Sequence, residues 1–350
     1  MAKDKKKSKK RERLEQTLDL QPPVSDMSSE ELKAAEIHAL RLLTRGAYAL
    51  QKLRIQMGLR LCANFRNKLK VSIDDVINDE EDDADELSEK AQSIIDMLKL
   101  EYGRLTDGIA KNRTLPRREG FVGTGVISTF TELALIDDYL YLESREKKQF
   151  RHIGDALQDF AIYRDWLRHQ IGIGPAMAAV LITKFDVHKA VRPSQFWAIA
   201  GLDVGPDGKA RCRRKEHLIE REYVAKDGKT KKKLSTTFDT WLQSRLLGAL
   251  GTSLMRTGSP YKRFYDGYKK RKQDDPNIRH GTLKDKKADI DAGLDGDDIW
   301  HPLRIHRAAS RYMVKTFVAD FWRRWREIEG LPVVPTYHEA KQGGHSGRAA

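Results

Sequence analysis

Apolar residues recur every three or four positions through most of the first half of the chain. Ser28 and Glu31 have the spacing of a capping box, in which two side chains satisfy free N–H groups at a helix N-terminus. The apolar positions that follow are Leu32, Ala35, Leu43, Ala47, Leu50, Leu53, Met57 and Leu61. This spacing predicts one long helix from Ser28 to about Leu69. Its arginines form either a solvated face or a surface that contacts nucleic acid.

The same spacing continues after an acidic interruption. Residues 74–89 are rich in Asp and Glu and predict an exposed linker, because such a block cannot pack into a core. A helix over about 86–110 follows, and the simplest arrangement is an antiparallel pair with the first helix. Helical spacing resumes at 130–142 and at 153–167, and no useful apolar–polar alternation precedes residue 170. The fold is therefore predicted to be mainly α.

A glycine-rich turn precedes the most apolar helix of the chain. Gly172, Ile173 and Gly174 follow a predicted helix, and Pro175 suits the first turn of the next one. This pattern is typical of a helix-hairpin-helix element, whose backbone N–H groups hold a phosphate without reading bases. The alternative is an ordinary helical turn.

A basic segment then surrounds a predicted β-hairpin. Residues 221–224 favour a strand, and Asp227-Gly228 is a good two-residue turn. The cations of this segment include Lys209, Arg211, Arg213, Arg214, Lys231, Lys232 and Lys233. Such a hairpin suits a phosphate backbone or a groove of DNA. The alternative is an exposed, charged insertion.

The last predicted helix runs from about Pro302 to Ile328 and has two contrasting faces. One face carries four cations, Arg304, Arg307, Arg311 and Lys315, and the other a core stripe, Met313, Phe317, Phe321 and Trp325. A second basic cluster at 262–272 interleaves with Tyr261, Phe264, Tyr265 and Tyr268. These aromatic rings either stack on bases or pack on the core.

Composition narrows the class of partner. The 350 residues carry a formal net charge of +14, which points towards polyanions, most often nucleic acid. Cys62 and Cys212 are the only cysteines, so a disulfide framework and a Cys-rich zinc module are excluded, and a reducing cytoplasm fits. No apolar run approaches the roughly 20 residues that span a bilayer, and the basic start lacks the apolar stretch of a signal peptide. We expect a cytoplasmic, nucleoid-associated bacterial protein without a membrane partner.

Two segments together resemble a known family. Gly172-Ile173-Gly174-Pro175 is followed by Phe196-Trp197-Ala198-Ile199-Ala200-Gly201-Leu202 and then Pro206. This order resembles the C-terminal transposase domain of the IS-one-ten group of bacterial insertion sequences, which includes the IS-one-sixteen and IS-nine-oh-two transposases. Residues 234–250 resemble that family's next helix, and 306–317 resemble its late basic helix. The resemblance covers about 165–328 and implies a DNA-binding, recombination-related domain.

The sequence departs from that family at its catalytic parts. The family carries an N-terminal RuvC-like nuclease domain, with four acidic metal ligands on a strand-rich fold, where this chain is predicted to be helical. The family's nucleophilic serine falls in a Ser-Gly pair, and the corresponding pair here is Asp207-Gly208. Asp207 is thus the one catalytic candidate, able to ligate Mg²⁺ but not to form a phosphoserine link. No metal or other cofactor is expected, except Mg²⁺ if the protein is active.

These observations predict five segments and one leading function. The segments are a disordered basic tail (1–27), a helical hairpin with an acidic loop (28–115), connecting helices (116–165), a helix-hairpin-helix DNA-binding domain with a small β-hairpin (166–330) and a flexible tail (331–350). The leading function is DNA binding by an accessory or catalytically degenerate recombination protein that self-associates, with structured RNA as an alternative partner. The other hypotheses are an active Mg²⁺-dependent transposase and a protein-interaction scaffold.

Overall fold

A computed structural model defines the fold. It describes residues 27–69, 87–106, 115, 117–205, 207–225, 228–294 and 296–335. The predicted basic tail up to residue 26, the acidic run at 74–86 and the final residues 336–350 lie outside the described residues, as do Pro206 and Asp227.

The mainly helical fold is confirmed, and its first helix starts as the sequence indicates. The Ser28 N–H donates to Glu31 Oε2 at 2.8 Å, and the Glu31 N–H donates to Ser28 Oγ at 3.3 Å. The helices are α1 (Ser29–Leu69), α2 (Glu89–Leu105), α3 (Phe130–Ala156), α4 (Ala161–Asp165), α5 (Pro175–Lys184), α6 (Pro193–Ile199), α7 (Thr240–Ser244), α8 (Gly251–Arg256), α9 (Lys262–Gln273), α10 (Leu283–Asp291) and α11 (Pro302–Ile328). A π-helical stretch, Arg245–Leu250, joins α7 to α8. Among the described residues, no helix is both long and apolar enough to cross a bilayer.

The predicted β-hairpin is present and is longer than expected. Strand β1 (Leu218–Val224) pairs antiparallel with β2 (Thr230–Thr236). Gly228 has φ +74°, a left-handed conformation that glycine adopts without strain, and its N–H donates to the Ala225 carbonyl at 2.9 Å. A second, short pair is parallel and joins β3 (Arg279–His280) to β4 (Ile299–Trp300).

The helix predicted over 234–250 begins later than expected. Leu234 lies in β2, opposite Glu220. The helix starts only at Thr240, because Asp239 accepts a hydrogen bond from the Leu242 N–H at 2.9 Å and caps the N-terminus. Strand β2 therefore takes residues 234–236 of the segment that resembles a family helix, and the helix takes the part from Thr240 onward.

The first two helices run in the same direction, so the predicted antiparallel packing of this pair is wrong. Leu87, just before α2, lies beside Gly58, and the Cys62 thiol lies 3.6 Å from the Ala91 carbonyl, so both chains advance together. The antiparallel partner of α1 is α3: Lys68 bonds Glu132 at 2.6 Å near one end, and Gln149 donates to the Leu43 carbonyl at 3.2 Å near the other. Periodicity identifies the apolar face of a helix but not its partner.

Two hydrophobic cores lie along these long helices. The smaller core joins α2 to the C-terminal half of α1 and the N-terminal half of α3. The larger core contains α5, α6, α7 and α11, together with the other halves of α1 and α3. The predicted stripe Met313, Phe317, Phe321 and Trp325 is buried there. The domain boundaries proposed from the sequence remain a prediction.

Two arginines of α1 bond within the protein. Arg41 donates to the Thr183 carbonyl at 3.0 Å, near the C-terminus of α5. Arg54 forms an ion pair with Glu146 of α3, with the side chains only 12% and 9% exposed, and also donates to the Tyr139 hydroxyl. These two positions therefore serve the fold, whichever surface the other α1 arginines provide.

Breaking the Arg54–Glu146 pair should destabilise the protein. Arg54→Met leaves the Glu146 carboxylate largely buried without its partner, which typically costs about 3 kcal/mol. The double variant Arg54→Met/Glu146→Leu should recover most of that loss, because no unpaired charge remains. Urea unfolding of the three proteins measures this, and equal stabilities for the single and double variants would contradict it.

Candidate nucleic-acid interface

A groove of about 610 Å³ lies between α11 and the segment 202–214. Tyr268 of α9, Lys286 of α10 and Trp300 of β4 complete its wall. Its cationic residues are Lys209, Arg214, Lys286, Arg304, Arg307, Arg311 and Lys315. We call this surface the basic groove. The sequence predicts that six of these seven residues contact DNA. Lys286 is the one that it does not predict.

Helix α11 supplies most of the charge. Arg304, Arg307, Arg311 and Lys315 follow one another at intervals of three or four residues, so they share one helix face, as predicted. The helix begins after His301, whose Nδ1 accepts the Arg304 N–H at 3.3 Å. His301 is thus a helix cap that faces the groove.

The described lining of the basic groove is cationic. The described residues that line it include no Asp or Glu, and two carboxylates of the neighbouring segment, Asp203 and Asp207, pair with Arg211 and His217, respectively. Burial lowers the pKa of His301, and Lys286, Arg304 and Arg307 lower it further. Burial and the neighbouring Arg311 likewise lower the pKa of Lys315. An anion in the groove would relieve this repulsion.

Two of the arginines predicted to contact DNA, Arg211 and Arg311, form hydrogen bonds within the protein beside the groove. Arg311 donates to the carbonyls of Gly201 at 2.6 Å and Arg211 at 3.3 Å, which ties the 201–211 segment to α11. Arg211 bonds Asp203 at 2.9 Å and the Thr237 hydroxyl at 3.1 Å, and it is not among the groove residues. Sequence spacing identifies a cation but not the carbonyl or carboxylate that it meets in the fold.

Aromatic rings form part of the groove wall. The rings of Tyr268 and Tyr312 lie 5.1 Å apart, and Tyr312 is 40% exposed. Arg304 lies over Trp300 with 4.4 Å between its guanidinium carbon and the ring centre. A flat ring beside several cations can take an unpaired base while the cations hold its phosphates.

The other rings of the second basic cluster pack inside the protein. Tyr261 and Tyr265 are buried, and Phe264 packs against the larger core. The Tyr261 hydroxyl donates to Asp320 at 3.0 Å, and Tyr265 hydrogen bonds to His306 at 2.7 Å. Core packing is therefore the correct alternative for these three rings, and only Tyr268 reaches the groove.

The β-hairpin has one cationic face and one mixed face. Residues opposite each other in an antiparallel pair share a face, so Arg221, Lys233 and Lys231 lie together. On the other face, Lys232 is bonded to Glu220 at 3.2 Å. The hairpin lies outside the cores, and most of its residues are exposed. Lys231 and Lys233 therefore share the cationic face, whereas Lys232 lies on the face of Glu220.

The predicted phosphate-binding turn lies apart from the groove residues. Gly172 has φ +90°, and its carbonyl accepts a hydrogen bond from the Ser253 hydroxyl at 2.9 Å. Gly174 precedes α5 without capping it through a side chain, and a Cβ there would meet no atom within 4 Å. Gly172 thus has the positive φ of a tight turn and α5 has an open N-terminus, but the helix predicted over 153–167 is broken, and a 3₁₀ turn, Leu167–His169, precedes the glycines. Ile173 is buried, so only its backbone is available to a ligand.

The remaining predicted positions are exposed or belong to a turn. Arg213 is exposed and does not line the groove. Asp207 accepts hydrogen bonds from the Lys209 N–H at 3.0 Å and from His217 at 3.1 Å, and the first of these lowers its pKa most. Among the described residues, no group of three or more His, Cys, Asp or Glu side chains is arranged to hold a metal ion.

No family model, curated protein or solved structure matches this chain. The resemblance to insertion-sequence transposases therefore remains a prediction.

Acid should weaken the fold through His301. Because the pKa of His301 is lower in the folded protein than the ordinary 6.5, its stabilising contribution is present above pH 6.5 and is lost as the pH falls below that value. His301→Asn keeps a residue suited to capping but removes the titration. The stability difference between the two proteins, measured by urea unfolding, should change in favour of the variant as the pH falls. A difference that is the same at every pH would contradict this.

Proposed function

We propose that this chain is a nucleic-acid-binding protein, with DNA as its first partner, which holds phosphates in the basic groove. The observation that carries the proposal is the concentration of seven cationic residues along a groove with no lining carboxylate among the described residues. Phosphate oxygens are the groups that such a surface attracts, and release of their counterions supplies much of the binding free energy.

Two further surfaces extend the proposed interface. The face of the hairpin with Arg221, Lys231 and Lys233 offers cations to a second stretch of backbone. The N-terminus of α5, after Gly174, offers backbone N–H groups. All these contacts address phosphates, so the proposed binding is largely independent of sequence.

The proposed biological role follows from the resemblance as well as the groove. We propose an accessory or catalytically degenerate recombination protein related to the IS-one-ten transposases, self-associating and associated with the bacterial nucleoid. An active Mg²⁺-dependent transposase is not favoured by a specific observation, because Asp207 bonds His217 and its own turn. A protein-interaction scaffold predicts weak binding to nucleic acid that groove variants leave unchanged.

Neutralising two cations of the basic groove should weaken nucleic-acid binding more than neutralising two exposed lysines outside it. The groove variant is Lys209→Gln/Arg307→Gln, and the control is Lys147→Gln/Lys189→Gln, whose lysines are exposed outside the groove. Fluorescence anisotropy with duplex DNA, single-stranded DNA and structured RNA, from about 50 to 200 mM salt, gives Kd and its salt slope. We expect the groove variant to lose about tenfold in affinity and about two units of slope. Equal losses in the two variants would contradict the proposal.

The same anisotropy titration tests the N-terminus of α5 and the cationic hairpin face, each with a pair of variants that differ little in size. Gly174→Asp and Gly174→Asn both fit the open space before α5 and both suit a helix cap, so only the charge differs. The aspartate should bind nucleic acid several-fold more weakly than the asparagine if a phosphate lies there. Lys233→Gln should likewise weaken binding more than Lys232→Gln, which removes a lysine already paired with Glu220. Equal affinities within a pair would remove that surface from the interface.

A further inference from the structure

Cys212, His217 and Asp207 form a chain of three side chains beside the basic groove. The Cys212 thiol lies 3.4 Å from His217 Nδ1, and His217 Nε2 lies 3.1 Å from the Asp207 carboxylate. A nucleophile, a base and a group that orients the base are the parts that activate a thiol. The proposed binding of nucleic acid uses none of the three side chains.

The surroundings fix the imidazole in the form that accepts a proton from sulfur. The Cys212 N–H donates to Nδ1 at 3.1 Å, so Nδ1 carries no proton and Nε2–H donates to Asp207. The ring is buried and packs closely on Gly205, where a Cβ would come within 2.6 Å of Nε2. The lone pair of Nδ1 is therefore held towards Cys212.

The thiol itself can be reached, and from a strongly positive side. Cys212 is half-buried and lines the basic groove, whereas His217 is covered. A reagent that approaches the sulfur through the groove enters the positive electrostatic potential of the seven cationic residues that line the groove. The site therefore selects for a co-reactant with negative charge.

We propose that Cys212 is a reactive thiol that takes up a small anionic disulfide, one whose two halves carry carboxylates. His217 Nδ1 exchanges the hydrogen bond from the Cys212 N–H for the thiol proton, and the Cys212 sulfur attacks one sulfur of the disulfide. A new S–S bond forms as the old one breaks, and the other half leaves as a thiolate. Cys212 is oxidised to a mixed disulfide, the released half is reduced, and Asp207 stabilises the imidazolium.

The adduct would occupy the groove. Its carboxylates lie where the proposed function places phosphates, so the modification should compete with nucleic acid; this consequence alone rests on the proposed function. The thiol chemistry is independent of it and can be measured with the protein alone.

The chain provides its own control thiol. Cys62 is fully buried, and burial raises the pKa of its thiol to about 11, so it should stay unreactive in the folded protein. We would follow release of thiolate by absorbance with the dianionic dithiobis(nitrobenzoate) and with the neutral dithiodipyridine. One thiol should react in the native protein, and Cys212→Ser should abolish that reaction.

The ratio of the anionic to the neutral rate separates the groove from general exposure. Relative to a urea-unfolded Cys62→Ala chain, the native protein should favour the anionic disulfide by about tenfold. Salt and the groove variant Lys209→Gln/Arg307→Gln should reduce this preference, whereas Lys147→Gln/Lys189→Gln should not. Asp207→Asn, at an exposed position, should lower both rates by weakening the base, and His217→Gln should do so more strongly.

Two results would overturn the proposal. One is a Cys212 thiol that reacts no faster than the unfolded chain with either reagent. The other is the same ratio of anionic to neutral rates in the native and unfolded protein. If thiol reactivity is as expected but the purified adduct binds nucleic acid as tightly as the reduced protein, the fault lies with the proposed position of nucleic acid and not with the reactive thiol.

Discussion

The packing of one amphipathic helix determines where the charge of this protein lies. Phe317 and Phe321 of α11 are buried, and Trp166 stacks on both rings with centroid distances of 5.7 and 6.2 Å. Burial of these large side chains stabilises the fold and fixes the rotation of α11 about its axis. Because the cations occupy the opposite helix face, the same rotation directs Arg304 and Arg307 into the groove. The interface thus depends on the core behind it.

The far end of α11 is fixed by polar bonds to the segment that follows α5. Trp322 donates to the Ala190 carbonyl at 2.8 Å, and Arg326 donates to the Val187 and Ala190 carbonyls at 2.9 and 3.0 Å. Arg311 provides a similar bond near the groove. Cations crowded on one surface repel one another, and backbone carbonyls hold two of the groove cations in place: Gly201 accepts from Arg311 and Ile299 accepts from Arg304.

Much of this arrangement can be predicted from the sequence because it depends on local chemistry. The capping box at Ser28, the hairpin turn at Gly228 and the two faces of α11 are each specified by residues close together in the chain. What could not be predicted depends on contacts between distant residues. Periodicity does not give the relative direction of α1 and α2, and it does not show that Arg211 meets Asp203.

In the candidate site, too, features set by local sequence could be predicted and features set by distant contacts could not. The spacing of the cations in α11 predicts their common face. Lys286, Trp300 and Tyr268 come from separate elements, and no shared sequence pattern connects them. Lys232 has the same sequence surroundings as its neighbours, but the register places it on the face of Glu220, to which it is bonded. Cys212 and His217 stand five residues apart with no motif to connect them, and only in the fold does the Cys212 N–H bond His217 Nδ1 while the ring packs on Gly205.

The central claim is that nucleic acid lies in the basic groove, and cross-linking tests it most directly. A DNA strand with photoreactive iodinated bases would be bound, irradiated and digested with the protein, and the modified peptides identified by mass spectrometry. The account predicts cross-links to the groove wall, first to the exposed ring of Tyr312 and then to the half-buried rings of Trp300 and Tyr268, because unpaired bases can stack there. Cross-links confined to peptides outside the groove would contradict it.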